Sequence, residues 1–198
     1  VDLRQHVRRV PVTTGTGSYP ILRANKNKMI SVAELAKNPA LANPEFTKVN
    51  YEIETYRGYI PVSQESLDDS DLDLGGLVAE SIQRQSLNTS NAEIAAKLQT
   101  ATAKTVTTID DLKDIVNVAI DPAYNVKFIA SQSFFNELDK MKDNDGRYLL
   151  QQDVTVASGY KLLGREVVVM AEEVIGKKAG DKVAFVGDPS LFDKYFDR

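Results

Sequence analysis

The feature that most constrains the fold is a stretch in which apolar and polar residues alternate strictly, the period of a half-buried β-strand. Over residues 48–55, one face carries Val49, Tyr51, Ile53 and Thr55, and the other carries Lys48, Asn50, Glu52 and Glu54. The alternation breaks at Tyr56-Arg57-Gly58, which we interpret as a bulge, and resumes from Tyr59 to Val62. The sequence therefore predicts a strand with one apolar and one charged face.

A second β-prone run, from Tyr19 to Arg23, precedes this strand and contains Pro20, which favours an edge position. Together the two runs predict a β-hairpin that has little chain of its own to cover its apolar face. Exposed apolar strand surface is a hazard for a monomer. We therefore expect a subunit of a larger assembly, in which a neighbouring copy contacts Tyr19, Ile21, Val49, Tyr51, Ile53, Tyr56 and Arg57.

The residues from Leu74 to about Leu98 are compatible with one long helix of about 38 Å. A capping box of Ser70 and Asp73 precedes it. The apolar stripe of this helix is narrow and the rest of its surface is polar, which is typical of a long strut with one packed face. The stripe consists of Leu74, Val78, Ile82, Leu87, Ile94 and Leu98.

The second half of the chain has the pattern of a compact α/β unit. Thr108 predicts the start of a helix from Ile109 to about Ala119, and either Ser131 or Ser133 predicts the start of another. The predicted strands are Val126–Ala130, Val167–Met170 and Val183–Val186. Asp188-Pro189 predicts a last helix that carries Leu191, Phe192, Tyr195 and Phe196.

Composition argues against several classes of function. The 198 residues include no Cys and one His, His6, so the chain has no disulfide framework, no thiolate nucleophile and no His-rich metal site. The residues around Asp143-Asn144-Asp145-Gly146 lack the ligand spacing of a calcium loop. No run approaches the ~18 apolar residues of a membrane span. We therefore expect no enzyme activity, no metal, no cofactor and no membrane contact.

A module that binds single-stranded nucleic acid is the alternative from a different functional class. Tyr51, Tyr56 and Tyr59, with Arg57, are residue types on which bases stack. However, the glutamates on the opposite face and the formal net charge of −4 disfavour contact with a phosphate backbone.

Several motifs, taken in order, resemble a known family. Val62-Ser63-Gln64-Glu65-Ser66-Leu67-Asp68-Asp69-Ser70 precedes the long helix. The others are Leu138-Asp139-Lys140-Met141-Lys142-Asp143-Asn144-Asp145-Gly146-Arg147-Tyr148-Leu149-Leu150 and Leu162-Leu163-Gly164-Arg165-Glu166-Val167. The end runs from Gly187-Asp188 to Phe196-Asp197-Arg198. Over nearly the whole chain, this order resembles the major capsid protein of tailed bacteriophages, which has the Hong-Kong-ninety-seven-type capsid fold.

The resemblance implies an α+β fold with an extended β-hairpin (the extension loop), a long spine helix in a peripheral domain and a compact α/β axial domain. It assigns residues 1–17 to the end of the N-terminal arm and peripheral domain, 18–62 to the extension loop and 63–104 to the spine helix. Residues 105–187 are assigned to the axial domain and 188–198 to the return into the peripheral domain. The chain, which begins without Met, is then truncated at both ends.

The implied function is that of a structural subunit of an icosahedral phage or prophage capsid, assembling as pentamers and hexamers around DNA. The expected partners are other capsid subunits, with scaffold, portal or decoration proteins, and packaged DNA only through weak, non-specific contacts. The expected location is the virion, after synthesis in the bacterial cytoplasm. Some relatives cross-link a Lys to a neighbour, but Asn43 stands before Pro44 here, so we expect no cross-link. An encapsulin-type nanocompartment shell protein has the same architecture and stays an alternative.

Overall fold

The structure is a computed structural model that describes residues 1–23, 27–32, 34, 37, 38, 40–61, 74–142, 146, 148, 150–152 and 159–198. The motif at 62–70, the Ser70 and Asp73 capping box and the Asp143–Asp145 part of the predicted turn lie outside the described residues. The chain forms two compact units, Val1–Val10 with Tyr59–Tyr195 and Pro11–Gly58 with Phe196–Arg198. Strands β1 (Arg8–Pro11) and β9 (Lys194–Asp197) form a two-stranded sheet.

The first unit contains a five-stranded sheet. Its strands are β4 (Lys127–Ser131), β5 (Gln151–Gln152), β6 (Tyr160–Leu162), β7 (Arg165–Met170) and β8 (Ala184–Gly187), in the order β5-β6-β7-β4-β8. β4 runs parallel to β7, with Phe128 opposite Val167, and the other neighbouring strands are antiparallel. Every residue of β4 after Lys127 is buried, as expected for a strand that is covered on both faces.

The two faces of this sheet pack against different layers, because successive side chains of a strand point to opposite faces. One core cluster contains Ile129 and Val168 with Leu3, Val7, Ile94, Ala95, Leu98, Met170, Ile175 and Phe185. The other contains Phe128 and Val167 with Leu112, Val116, Ala130, Leu138, Leu150 and Leu162. The first unit is therefore layered helix–sheet–helix, and the prediction of an α/β unit is confirmed in its described parts.

Helix α1 spans Leu74–Leu98, and the predicted bounds are confirmed. Its buried residues all lie in the second half, at Ser90, Asn91, Ile94, Ala95 and Leu98. The buried side chain of Asn91 accepts a hydrogen bond from the N–H of Leu3 at 2.9 Å and donates one to the carbonyl of Val1 at 3.0 Å. These bonds tie the N-terminal segment, which begins with the 3-10 helix Leu3–Gln5, to the packed half of α1.

The predicted caps of the next two helices are confirmed. Helix α2 (Ile109–Asp114) begins after Thr108 and continues as a π-helical turn, Ile115–Ala119. Thr108 and Asp111 form a capping box, and hydrogen bonds from Thr108 and Thr107 lower the pKa of the Asp111 carboxyl to about 2. For helix α3 (Gln132–Lys140), the cap is Ser131 rather than Ser133, because the hydroxyl of Ser131 accepts the N–H of Phe134 at 3.3 Å.

Three short elements among the described residues between α3 and β8 were not predicted. Strand β6 turns into β7 through Leu163 and Gly164, whose φ angles of 50° and 74° are both left-handed. That conformation is typical of a two-residue hairpin turn, and it explains why a glycine stands at position 164. The very short strand β5 and helix α4 (Glu172–Ile175) are the other additions.

The predicted last helix is wrong in its second half. Helix α5 spans only Pro189–Phe192 and is capped by Asp188, as predicted. Tyr195 and Phe196 lie in strand β9 instead. Their spacing from Phe192 fits an apolar stripe on a helix. In the strand, however, Tyr195 and Phe196 are adjacent and therefore face opposite sides.

The second unit contains an antiparallel hairpin of β2 (Thr16–Leu22) and β3 (Phe46–Glu52), so the predicted hairpin is confirmed. Backbone hydrogen bonds extend it at both ends, from Arg23 N to Glu45 O at 2.9 Å and from Ile53 N to Gly15 O at 2.8 Å. The predicted bulge and resumed strand are wrong as far as they are described, because residues 53–61 form no regular structure. Val62 lies outside the described residues.

Candidate subunit contact surface

The register of the hairpin brings several of the predicted contact residues onto one face. Tyr19 lies opposite Val49, and Gly17 lies opposite Tyr51. Ile21 shares this face with Tyr19 because it lies two residues further along the same strand. We call this face the tyrosine face (Gly17, Tyr19, Ile21, Thr47, Val49 and Tyr51); the sequence pattern names four of its residues, Tyr19, Ile21, Val49 and Tyr51.

Part of the tyrosine face is covered by the C-terminal residues of the same unit. The ring of Phe196 stacks on Tyr51, with centroids 4.6 Å apart and planes inclined by 16°, and it meets Tyr19 edge-on at 5.9 Å. The hydroxyls of Tyr51 and Thr14 lie 2.9 Å apart in a hydrogen bond. A Cβ on Gly17 would lie 2.5 Å from the hydroxyl oxygen of Tyr51. The Tyr51 ring can therefore occupy this position only because the residue opposite it is a glycine. The sequence analysis expected that the chain has little of its own to cover the apolar face of the hairpin. That expectation did not include Phe196, which covers part of this face.

The remainder of the tyrosine face is more open. Val49 is 37% exposed, and Ile21 is half-buried. Ile53, one residue beyond β3, is also half-buried. Tyr56 and Arg57 are exposed in the segment without regular structure, where the hydroxyl of Tyr56 donates to Glu54 at 3.1 Å. The structure therefore does not bring Tyr56 and Arg57 onto the hairpin face with the other predicted residues.

The opposite face of the hairpin carries an apolar pair that the sequence analysis missed. Leu22 lies opposite Phe46 at the end of the ladder, and these side chains are 60% and 64% exposed. The sequence contains a signal for this position. Phe46 lies two residues before Lys48, so the period of a strand places it on the same face as Lys48 and Asn50. Beyond the pair, the guanidinium of Arg23 lies 3.4 Å from the carboxylate of Glu45.

The first unit also has exposed apolar residues, and a cavity lies among its described residues. On the first half of α1, Leu77 and Ile82 are each 53% exposed. A cavity of about 290 Å³ lies beside α2 and α3, lined by Ile109, Leu112 and Phe134 among others, and the ion pair of Lys182 and Glu137 at 2.9 Å also borders it. Its lining is mixed, because Thr107, Thr108, Glu137 and Lys182 border it together with apolar side chains.

The described parts of the chain contain neither a cluster of metal ligands nor a membrane-spanning helix. No three His, Asp or Glu side chains there are grouped closely enough to hold a metal ion. None of the helices in those parts combines the length and apolar character needed to cross a bilayer.

Solved structures of capsids share this fold. The capsid of a native GTA particle is 20% identical, with a TM-score of 0.64, and the match covers 85% of this chain and 67% of that one. A chain from Microbacterium phage Oxtober96 is 18% identical, with a TM-score of 0.60 and coverages of 94% and 69%. A chain from Mycobacterium phage Cain is 17% identical, with a TM-score of 0.57 and coverages of 95% and 68%.

Sequence comparison gives the family. No curated protein matches the chain. A profile described as the phage capsid family matches residues 1–196, which is almost the whole chain. The chain therefore belongs to the phage capsid family and is a structural subunit of a capsid.

Proposed function

We propose that this chain builds a closed icosahedral shell by laying its β2–β3 hairpin on a neighbouring subunit. The observation that carries the proposal is that a member of the phage capsid family exposes Val49, Leu22 and Phe46 on a hairpin. Exposed apolar strand residues on a soluble subunit are best explained by a partner that covers them. Ile21 and Val49 contact the neighbour on one side of the hairpin, and Leu22 and Phe46 contact it on the other.

The energy of such a contact is consistent with reversible assembly. At about 25 cal/mol per Å², burying about 300 Å² of apolar surface contributes ~7 kcal/mol before the cost of association. A subunit that makes several contacts of this size forms a stable shell, although each contact alone is weak. Weak single contacts allow misplaced subunits to dissociate during assembly.

The finer organisation is part of the proposal. Residues 18–62 act as the extension loop, 63–104 contain the spine helix of a peripheral domain, 105–187 form the axial domain around capsomer axes, and 188–198 return to the peripheral domain. The subunits form pentamers and hexamers around DNA, which they contact weakly because the net charge is −4. Scaffold, portal or decoration proteins assist, and synthesis takes place in the bacterial cytoplasm.

The test replaces neighbouring residues on the two faces of β3 with the same acidic residue. We expect Val49→Asp to abolish shells, because a carboxylate would be buried without a partner at the subunit contact. Asn50→Asp, opposite Ser18 on the other face and four residues along β3 from the Leu22 and Phe46 pair, is the matched control and keeps normal assembly. Particles are counted by electron microscopy, and folding of the subunit is checked by circular dichroism. Normal particle yield from folded Val49→Asp subunits would overturn the proposal.

A further inference from the structure

The N-terminal segment Val1–Val10 is attached to the first unit at a few defined points. Leu3 is fully buried and Val7 is 7% exposed, and both belong to the core cluster that contains the second half of α1. The side chain of Asn91 on α1 holds the backbone of Leu3 and Val1 by the two hydrogen bonds described above. Docking of residues 1–7 therefore depends on two apolar residues and one amide, whereas Arg8–Val10 are also held in strand β1 by β9.

His6 lies between the two apolar attachment residues. Its backbone N–H donates to the carbonyl of Leu3 at 3.0 Å, which closes the 3-10 helix. Its ring Nδ1 is buried and has no hydrogen-bond partner among the described residues. For a neutral imidazole, burial of an unpaired Nδ1 costs a moderate amount of free energy. An imidazolium would bury a positive charge and a second N–H donor at the same position.

The charged groups that act on His6 come from three elements. Lys127 on β4 and Glu166 on β7 form a largely buried ion pair at 2.7 Å, and Asp2 belongs to the segment itself. Burial is the main cause that lowers the pKa of His6, and Lys127 lowers it further, while Glu166 and Asp2 act in the opposite direction. Both acids have cationic partners, since Asp2 pairs with Arg4 at 2.8 Å.

We propose that His6 makes the attachment of the N-terminal segment pH-dependent, so that protonation of its ring releases residues 1–7 from α1 and the five-stranded sheet. The docked segment favours the neutral ring, and the released segment allows the ring to ionise in water. A lowered pKa in the docked state means that docking is strongest above about pH 6.5 and weakens as the pH falls through the lowered value. This inference is independent of which surfaces join subunits in a shell.

The composition makes this effect easy to isolate. His6 is the only His and there is no Cys, so it is the one side chain whose ordinary pKa lies between about pH 5 and 8. Burial also raises the pKa of the Asp193 carboxyl, and a variant without His6 shows any contribution from that group. A single His gives a single imidazole signal in a proton NMR titration.

The experiment compares the full 198-residue chain with its His6→Gln variant. Amide hydrogen exchange at Leu3 and at position 6 is measured at about pH 7.5 and about pH 5.5, and the two proteins are compared at each pH. We expect the released fraction of the wild-type segment to rise by up to tenfold per pH unit as the pH falls from about 6.5 to the lowered pKa and to level off below it, with no such rise in the variant. The imidazole signal should titrate below about pH 6.5.

A second pair of variants keeps the proposal testable if His6→Gln loosens the segment at every pH. Lys127→Met removes the cation that opposes protonation, so the titration midpoint of His6 should move to higher pH. Lys113→Met on α2, which loses a surface ion pair with Asp110, is the control and should leave the midpoint unchanged. A midpoint at or above about pH 6.5 in the wild type, or equal pH dependence of exchange in wild type and His6→Gln, would overturn the proposal.

Discussion

Two hydroxyl side chains begin helices of the first unit, and they differ in how far they are buried. Thr108 is exposed and caps α2 by accepting the backbone N–H three residues further on. Ser131 is fully buried and links three segments of the fold. Its Oγ accepts the N–H of Phe134 at 3.3 Å and of Val183 at 3.2 Å, and donates to the carbonyl of Asp181 at 2.7 Å.

We expect Ser131→Ala to be more destabilising than Thr108→Ala. Loss of Ser131 Oγ leaves three part-buried backbone groups without this partner, which costs about 2–3 kcal/mol in the free energy of unfolding. Loss of the Thr108 hydroxyl costs about 1 kcal/mol, because water can bind the exposed N–H groups instead. Urea unfolding followed by circular dichroism gives both values. Equal losses would show that the links to Val183 and Asp181 add nothing to the cap.

At the scale of elements, the sequence predicts well what a local pattern determines. Helix α1 has the predicted bounds, and the caps of α2 and α5 are those expected from Thr108 and Asp188. Strand β9 was missed, because a pairing between opposite ends of the chain leaves no local signal. The residues Phe192, Tyr195 and Phe196 fit a helical stripe equally well, and only the partner strand β1 distinguishes the two.

The hairpin base depends on a close approach between a glycine and an aromatic ring. Tyr51 stacks on Phe196 directly over Gly17, where a Cβ would lie 2.7 Å from the ring carbon that bears the hydroxyl. At Gly15, the nearest atom to an added Cβ is a guanidinium nitrogen of Arg198 at 3.7 Å, an ordinary contact. These two glycines of one hairpin therefore differ in the room that they leave for a methyl group.

We expect Gly17→Ala to displace Tyr51 from Phe196 and to loosen the hairpin, whereas Gly15→Ala leaves it unchanged. Loss of the stacked pair costs about 0.5–1.5 kcal/mol beyond the lost buried area. Hydrogen exchange of the β2–β3 amides and the ring-current shifts of Phe196 in NMR spectra report the change. If Gly17→Ala keeps the wild-type shifts of Phe196, the stacked arrangement is not what holds the hairpin base.

At the scale of the whole molecule, the surroundings of the proposed contact residues were only partly predictable. Strict alternation placed Tyr19, Val49 and Tyr51 on one face, because the period of a strand fixes which side chains share a side. Alternation cannot say which apolar face the chain covers itself, and Phe196 covers part of this one. The proposed contact therefore shifts away from Tyr51 toward Val49 and the pair of Leu22 and Phe46.

The two halves of α1 place residues of the same type in different surroundings. Ile94 is 2% exposed and belongs to the core cluster with Leu3 and Val168, whereas Ile82 is 53% exposed. Ile and Ser have similar helix propensities, so an Ile→Ser change tests the surroundings of each position and leaves helix propensity nearly constant. The same substitution at both positions is thus a matched pair.

We expect Ile94→Ser to lower the free energy of unfolding by about 3 kcal/mol, because it leaves a cavity and buries a hydroxyl. Ile82→Ser should change this energy by less than about 0.5 kcal/mol but reduce the yield of particles, if the first half of α1 contacts another subunit. Urea unfolding of subunits and particle counts by electron microscopy separate the two effects. A normal particle yield from Ile82→Ser would remove this half of the helix from the subunit contact and leave the hairpin as its main candidate.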